Sequence, residues 1–140
     1  MGQILQQIFI LIGVSIFGFL GTMHLIYTFV GNKFHGRDPK VTLAMKQTSP
    51  VISSQTTIWK AWKGFNASHS LGAMLLPAVY IPITINHMTI IEQSLWLTLL
   101  PILVGASYML LAKRYWFKIP LIGISISTLC FVGAAIIGNV

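Results

Sequence analysis

The stretch Ile8–Val30, IFILIGVSIFGFLGTMHLIYTFV, holds no charged residue. A helix needs about 20 apolar residues to cross the hydrocarbon core of a bilayer, at about 1.5 Å of rise each. This run is long enough, and its apolar residues come as a block with little alternation, which is the pattern of a spanning helix and not of a half-buried strand. The residues before it, Met1 to Gln7, carry no Lys or Arg, and the run leads into a basic loop. A secretory signal opens on a positive segment and closes on small residues, so the expectation is a retained span.

Working outward, three further blocks have the same character: about Gly64 to Ile85, Ser94 to Ala112, and Ile119 to Gly138. The chain of 140 residues is 55% hydrophobic and only 8% charged. A soluble surface needs about 25% charged residues, so a soluble globular domain is excluded. The expected fold is an all-α membrane protein: a bundle of four transmembrane helices forming a single membrane domain over 1–140, with spans at 8–30, 64–85, 94–112 and 119–138.

The charges orient this bundle. Lys33, Arg37, Lys40, Lys46, Lys60 and Lys63 fall between the first and second blocks, and Lys113, Arg114 and Lys118 between the third and fourth. With four crossings, all nine basic residues stand on one side, which the positive-inside rule makes the cytoplasm. The N- and C-termini are then outside it. The net charge of +7 therefore reads as anchoring beside anionic head groups and not as a nucleic-acid surface, since no base-stacking platform accompanies it. Trp59, Trp62, Trp96 and Trp116 lie at the expected head-group levels.

The first loop is long. Asp38-Pro39 can start a short helix ending at Ser49-Pro50, with Val41, Ala44 and Met45 on one face. A second short segment is expected over Ile58–Trp62, both lying along the cytoplasmic interface. No internal repeat suggests a transporter.

The polar residues inside the blocks limit the chemistry. The only acids, Asp38 and Glu92, sit in loops, so proton-coupled antiport through an intramembrane carboxylate, paired-carboxylate hydrolysis and a di-iron bundle are excluded. Ser68 and Ser70 flank His69, but neighbours along a helix do not face each other, and no acid orients the imidazole. No catalytic set and no closed metal site is expected. Cys130, alone in an apolar run, reads as a small buried hydrophobe.

What remains is a polar layer. His24 lies six residues before the end of the first span and His69 five after the start of the second, placing both roughly 8–9 Å below the cytoplasmic boundary. Tyr108 reaches the same depth in the third span. On a helix Asn66, Ser70, Ala73 and Pro77 form one stripe, with Phe65, His69, Gly72 and Leu76 beside it, and Gly13, Phe17, Gly21, His24 and Thr28 line up in the first span. These stripes are expected to pair as a helix–helix contact. His24, Asn66, His69, Ser70 and Tyr108 are the candidate ligand-binding residues. Pro77, Pro82 and Pro101 each remove a backbone hydrogen bond and could shape a cavity.

The run Trp59–Gly72, with its Gly64-Phe65-Asn66-Ala67-Ser68-His69-Ser70-Leu71-Gly72 core, resembles an uncharacterised family of small bacterial four-span membrane proteins. Thr22-Met23-His24-Leu25 in the first span is compatible with that group. The resemblance implies a bacterial inner (cytoplasmic) membrane and a four-helix fold, and supplies no activity. The small-residue, polar-flanked helix faces and the absence of catalytic groups lead to the expectation of a non-enzymatic function: a self-associating homo-oligomer or an accessory subunit of a membrane complex, with the lipid bilayer as its constant partner. The alternative is a binder of a lipid-like, quinone-like or b-type haem ligand in the polar layer. An enzyme acting on a lipid substrate, with histidine as its sole intramembrane acid–base group, ranks last.

Overall fold

The computed structural model describes residues 1–138; residues 139 and 140, within the expected single domain, lie outside that range. Among the described residues every regular element is a helix: α1 Gly2–Phe29, α2 Pro39–Gln47, α3 Ile58–Asn86, α4 Met88–Glu92, α5 Leu95–Tyr115 and α6 Lys118–Gly138. Four of them, α1, α3, α5 and α6, are long and apolar enough to cross a membrane.

Their boundaries follow local chemistry. Helix α1 ends where Val30 N–H still reaches Ile26 O, at 2.7 Å, and Gly31 then takes a left-handed φ of +81°, the conformation that favours glycine just past a helix end. Asp38 caps α2 by accepting from Lys40 N–H at 2.9 Å, with Pro39 in the first turn, where a missing N–H costs nothing. The Thr57 hydroxyl accepts from Lys60 N–H at 3.3 Å and opens α3, and Ser94 does the same for α5 through Leu97 N–H.

Two boundaries differ from expectation. Ile58–Trp62 is not a separate interfacial segment but the first turns of α3. Nothing between Ile58 and Gly64 breaks a helix, and the single Gly64 is tolerated. At the other end of the chain, α1 begins at Gly2, and Gln6, read as a flank of the span, is only 3% exposed.

The chain divides into two compact units. The first comprises Met1–Leu20 and, among the described residues, the chain from Ala73 to Gly138. Its core packs Val14 and Phe17 of α1, Tyr80 of α3, Ile91 of α4 and Phe131 of α6, all fully buried. Phe17 meets Tyr108 edge-on, with ring centroids 5.4 Å apart, and lies 6.1 Å from Phe131. Gly13 sits directly against the Phe131 ring, and the Ser127 hydroxyl donates to Gly13 O. Gly105 lies in the same way against Thr128. Small residues thus let α1 and α5 approach α6 closely, as they do in helix packing without a hydrophobic driving force. Gly13 and Phe17, expected to face the second span, meet α6 and α5 instead. Gly18 of α1 lies against α3, at Pro77.

Pro101 lines a cavity of about 10 Å³ together with Gln6, Ile10, Tyr80, Thr98 and Phe131, room for one water. Gln7 donates to Thr84 O at 3.1 Å, while the fully buried Thr84 hydroxyl has no hydrogen-bond partner among the described residues.

The second unit is Gly21–Gly72: the last turns of α1, all of α2 and the first half of α3. Three bonds gather its loop. Gly36 N–H donates to the Thr42 hydroxyl at 3.0 Å, Ile58 N–H to Thr48 O at 2.8 Å, and the Trp62 indole N–H to Phe34 O at 3.3 Å.

Candidate functional site

Four of the five residues singled out from the sequence, His24, Asn66, His69 and Ser70, lie in the second unit, and three of these meet. His24 projects from α1 one turn before Thr28, whose hydroxyl folds back to His24 O at 2.8 Å. Asn66 projects from the third turn of α3 and is buried. Its Nδ2 donates to Trp62 O at 2.8 Å, one turn back along the helix. Its Oδ1 then lies 3.0 Å from His24 Nε2.

That pair of contacts assigns a proton. Trp62 O accepts only, so the Asn66 amide must turn its nitrogen toward it and its oxygen toward His24. Oδ1 also accepts only, so His24 Nε2 carries hydrogen. A neutral His24 is the Nε2–H tautomer, and its lone pair is on Nδ1.

His69, three residues after Asn66 on α3, brings its ring to 5.5 Å from that of His24, at 61°. Phe34 closes on His24 from the loop, centroids 4.8 Å apart at 66°, and Trp62 stands 6.3 Å from Phe34. The site is therefore two imidazoles and one carboxamide, flanked by a phenyl ring and an indole. From the sequence Trp62 reads as a head-group residue only, and Phe34 is not among the expected site residues. The available signal was its isolation: Phe34 is the only large apolar residue between Gly31 and Lys40.

The remaining candidates have other surroundings. Ser70 is fully buried and donates to Asn66 O at 2.8 Å, back-bonding within its own helix. Tyr108 belongs to the first unit, edge-on to Phe17. Of the two stripes on α3, the one containing Asn66, Ser70, Ala73 and Pro77 is buried throughout, while Phe65 and Gly72 of the other are exposed.

Chemically the cluster can hydrogen-bond and stack. The one carboxylate in this unit, Asp38, caps α2. Among the described residues no three His, Cys, Asp or Glu side chains come together as a metal site. For a haem with both imidazoles as axial ligands, each ring must reach iron through a nitrogen lone pair from opposite faces of the macrocycle. Here the two rings are in edge contact and His24 Nε2 is turned to Asn66, so this arrangement does not offer that slot.

Fold and site together define a class: a helical protein with four helices long and apolar enough to cross a membrane, bearing a histidine–asparagine–histidine cluster between two of them. Compared with protein-family models, curated proteins and solved structures, the chain finds no match.

Proposed function

We propose that the chain is a multi-pass protein of a bacterial cytoplasmic membrane that acts as a non-enzymatic module, self-associating or serving as an accessory subunit of a membrane complex. In this reading α1, α3, α5 and α6 all span. Lys33 through Lys63 and Lys113 through Lys118 face the cytoplasm, and both termini lie outside it. The positions of the cations support it: Lys60 and Lys63 are in the first two turns of α3, Lys113 and Arg114 in the last turn of α5, and Lys118 begins α6. Lys and Arg at span ends anchor them to the cytoplasmic head groups.

The observation that carries the functional part is the His24–Asn66 contact at 3.0 Å. The most polar groups of the two helices are spent on one another and on nearby carbonyls (Asn66 to Trp62, Ser70 to Asn66, Thr28 to His24). Polar side chains used this way join helices in lipid. The apolar surface left over, such as Leu95, Leu103 and Leu110 on α5 and Ile122 and Leu129 on α6, is then available to lipid or to another subunit. Extraction in mild detergent followed by native mass spectrometry tests this: a homo-oligomer or a stable complex is expected, and a ligand-free monomer would refute it.

A second reading draws on Phe34 and Trp62. Rings beside two imidazoles and an amide suit a ligand with a flat polar head and an apolar body, quinone-like or lipid-like. Mass spectrometry of the purified protein should then show one enriched small molecule that is lost in His69→Ala. No Soret band is expected in its absorption spectrum, since the two imidazoles in edge contact offer no haem slot.

A further inference from the structure

We infer that the loop between α2 and α3 is a built membrane anchor, in which Val51 and Ile52 enter the acyl boundary of an anionic phospholipid bilayer while the surrounding cations hold its phosphates. The inference rests on the membrane reading proposed above. Residues Thr48–Thr57, TSPVISSQTT, are polar apart from Pro50 and this one aliphatic pair. Both side chains of the pair are fully exposed. The loop holding them is closed and not slack: Ile58 N–H donates to Thr48 O at 2.8 Å across its base, Ser53 N–H to Pro50 O at 3.2 Å around its tip, and Gln55 N–H to the Ser53 hydroxyl at 3.2 Å. A fixed turn that presents two adjacent aliphatic side chains leaves apolar surface in water, which a lipid boundary removes.

Its height is set by its neighbours. The Lys63 ammonium lies 4.8 Å from the Phe29 ring, so the end of α1 lies level with the first two turns of α3. Trp59 and Trp62, rings that favour the head-group zone, stand at that level. The Lys46 ammonium lies 5.7 Å from the Trp59 ring centroid, which ties the end of α2 to the start of α3, and His35 meets the same ring at 4.8 Å. On α2, Thr42 is buried while Val41 and Leu43 are exposed beside Lys40 and Lys46.

Charge selects the lipid. This unit carries six cations, Lys33, Arg37, Lys40, Lys46, Lys60 and Lys63, against the single carboxylate of Asp38, which caps α2. Such a basic segment beside a span is attracted to an anionic leaflet.

The test uses the full chain in nanodiscs, with Cys130→Ala as background and a nitroxide at Val51→Cys, Gln55→Cys or Leu129→Cys. Collision with oxygen and with a nickel chelate reports depth. In discs of phosphatidylcholine with phosphatidylglycerol, nickel accessibility at position 51 is expected several-fold below that at position 55, and to rise in phosphatidylcholine alone or in Lys46→Gln/Lys60→Gln. Equal nickel accessibility at 51 and 55 in the anionic discs overturns the anchor. A depth indifferent to both lipid charge and the lysines overturns its selectivity. Position 129, on the exposed face of α6, separates the two proposals: were it nickel-accessible, the membrane reading itself would fail.

Discussion

Replacing Asn66 with leucine removes the amide oxygen that lies 3.0 Å from His24 Nε2. The loss on the Trp62 side is small, because Trp62 O keeps its helical N–H partner. The loss on the His24 side is larger, since an N–H without an acceptor costs about 1–3 kcal/mol when fully buried. His24 is only half-buried, which places it at the low end. Side-chain hydrogen bonds between membrane helices average about 0.6 kcal/mol with a maximum of about 1.7. Asn66→Leu is therefore expected to cost about 1 kcal/mol, roughly a fivefold shift in the unfolding equilibrium. The assay is unfolding in mixed micelles, followed by the fluorescence of the four tryptophans. His24→Leu and the double variant complete a cycle, with an interaction energy expected at about 0.6 kcal/mol or more. Additivity within about 0.3 kcal/mol would refute the view that this contact joins the helices.

Other expectations follow from the same packing. Gly13→Ala drives a methyl into the Phe131 ring and should destabilise by about 1–3 kcal/mol, whereas Gly64→Ala meets nothing within 4 Å and should stabilise α3 by about 0.5–1 kcal/mol; thermal unfolding in detergent compares them. Thr84→Val removes a buried hydroxyl that has no hydrogen-bond partner among the described residues and should raise stability by about 1 kcal/mol, so a loss of similar size would mean the hydroxyl is bonded. Nitrogen-15 NMR of selectively labelled histidine should show neutral His24 with its proton on Nε2, and in Asn66→Leu that preference should weaken; a proton on Nδ1 in the unaltered chain would contradict the assigned amide orientation.

The long helices were legible because their cause is local. An unbroken apolar run such as Ile8–Val30 needs nothing but length to be read. The shared level of two side chains was legible too: counting residues from the helix ends put His24 and His69 beside one another, and their rings lie 5.5 Å apart. Rotation was not. Periodicity drew two adjacent stripes on α3 but could not tell that Asn66, Ser70, Ala73 and Pro77 turn inward while Phe65 and Gly72 face out. That choice depends on the neighbouring helix, which a hydropathy pattern does not contain. Phe34 escaped for a related reason: its place beside His24 depends on the Trp62 indole holding Phe34 O, a pairing of residues 28 apart. Gln6 was hidden by its polarity, which reads as a flank, although the helix carries it inside.

The most direct test of the account is the sidedness of its two basic loops. In the Cys130→Ala background, Lys33→Cys and Lys113→Cys are labelled with a membrane-impermeant maleimide in intact spheroplasts and in inverted vesicles. Both positions are expected to react only when the cytoplasmic face is presented. Reaction of the two from opposite faces would contradict it.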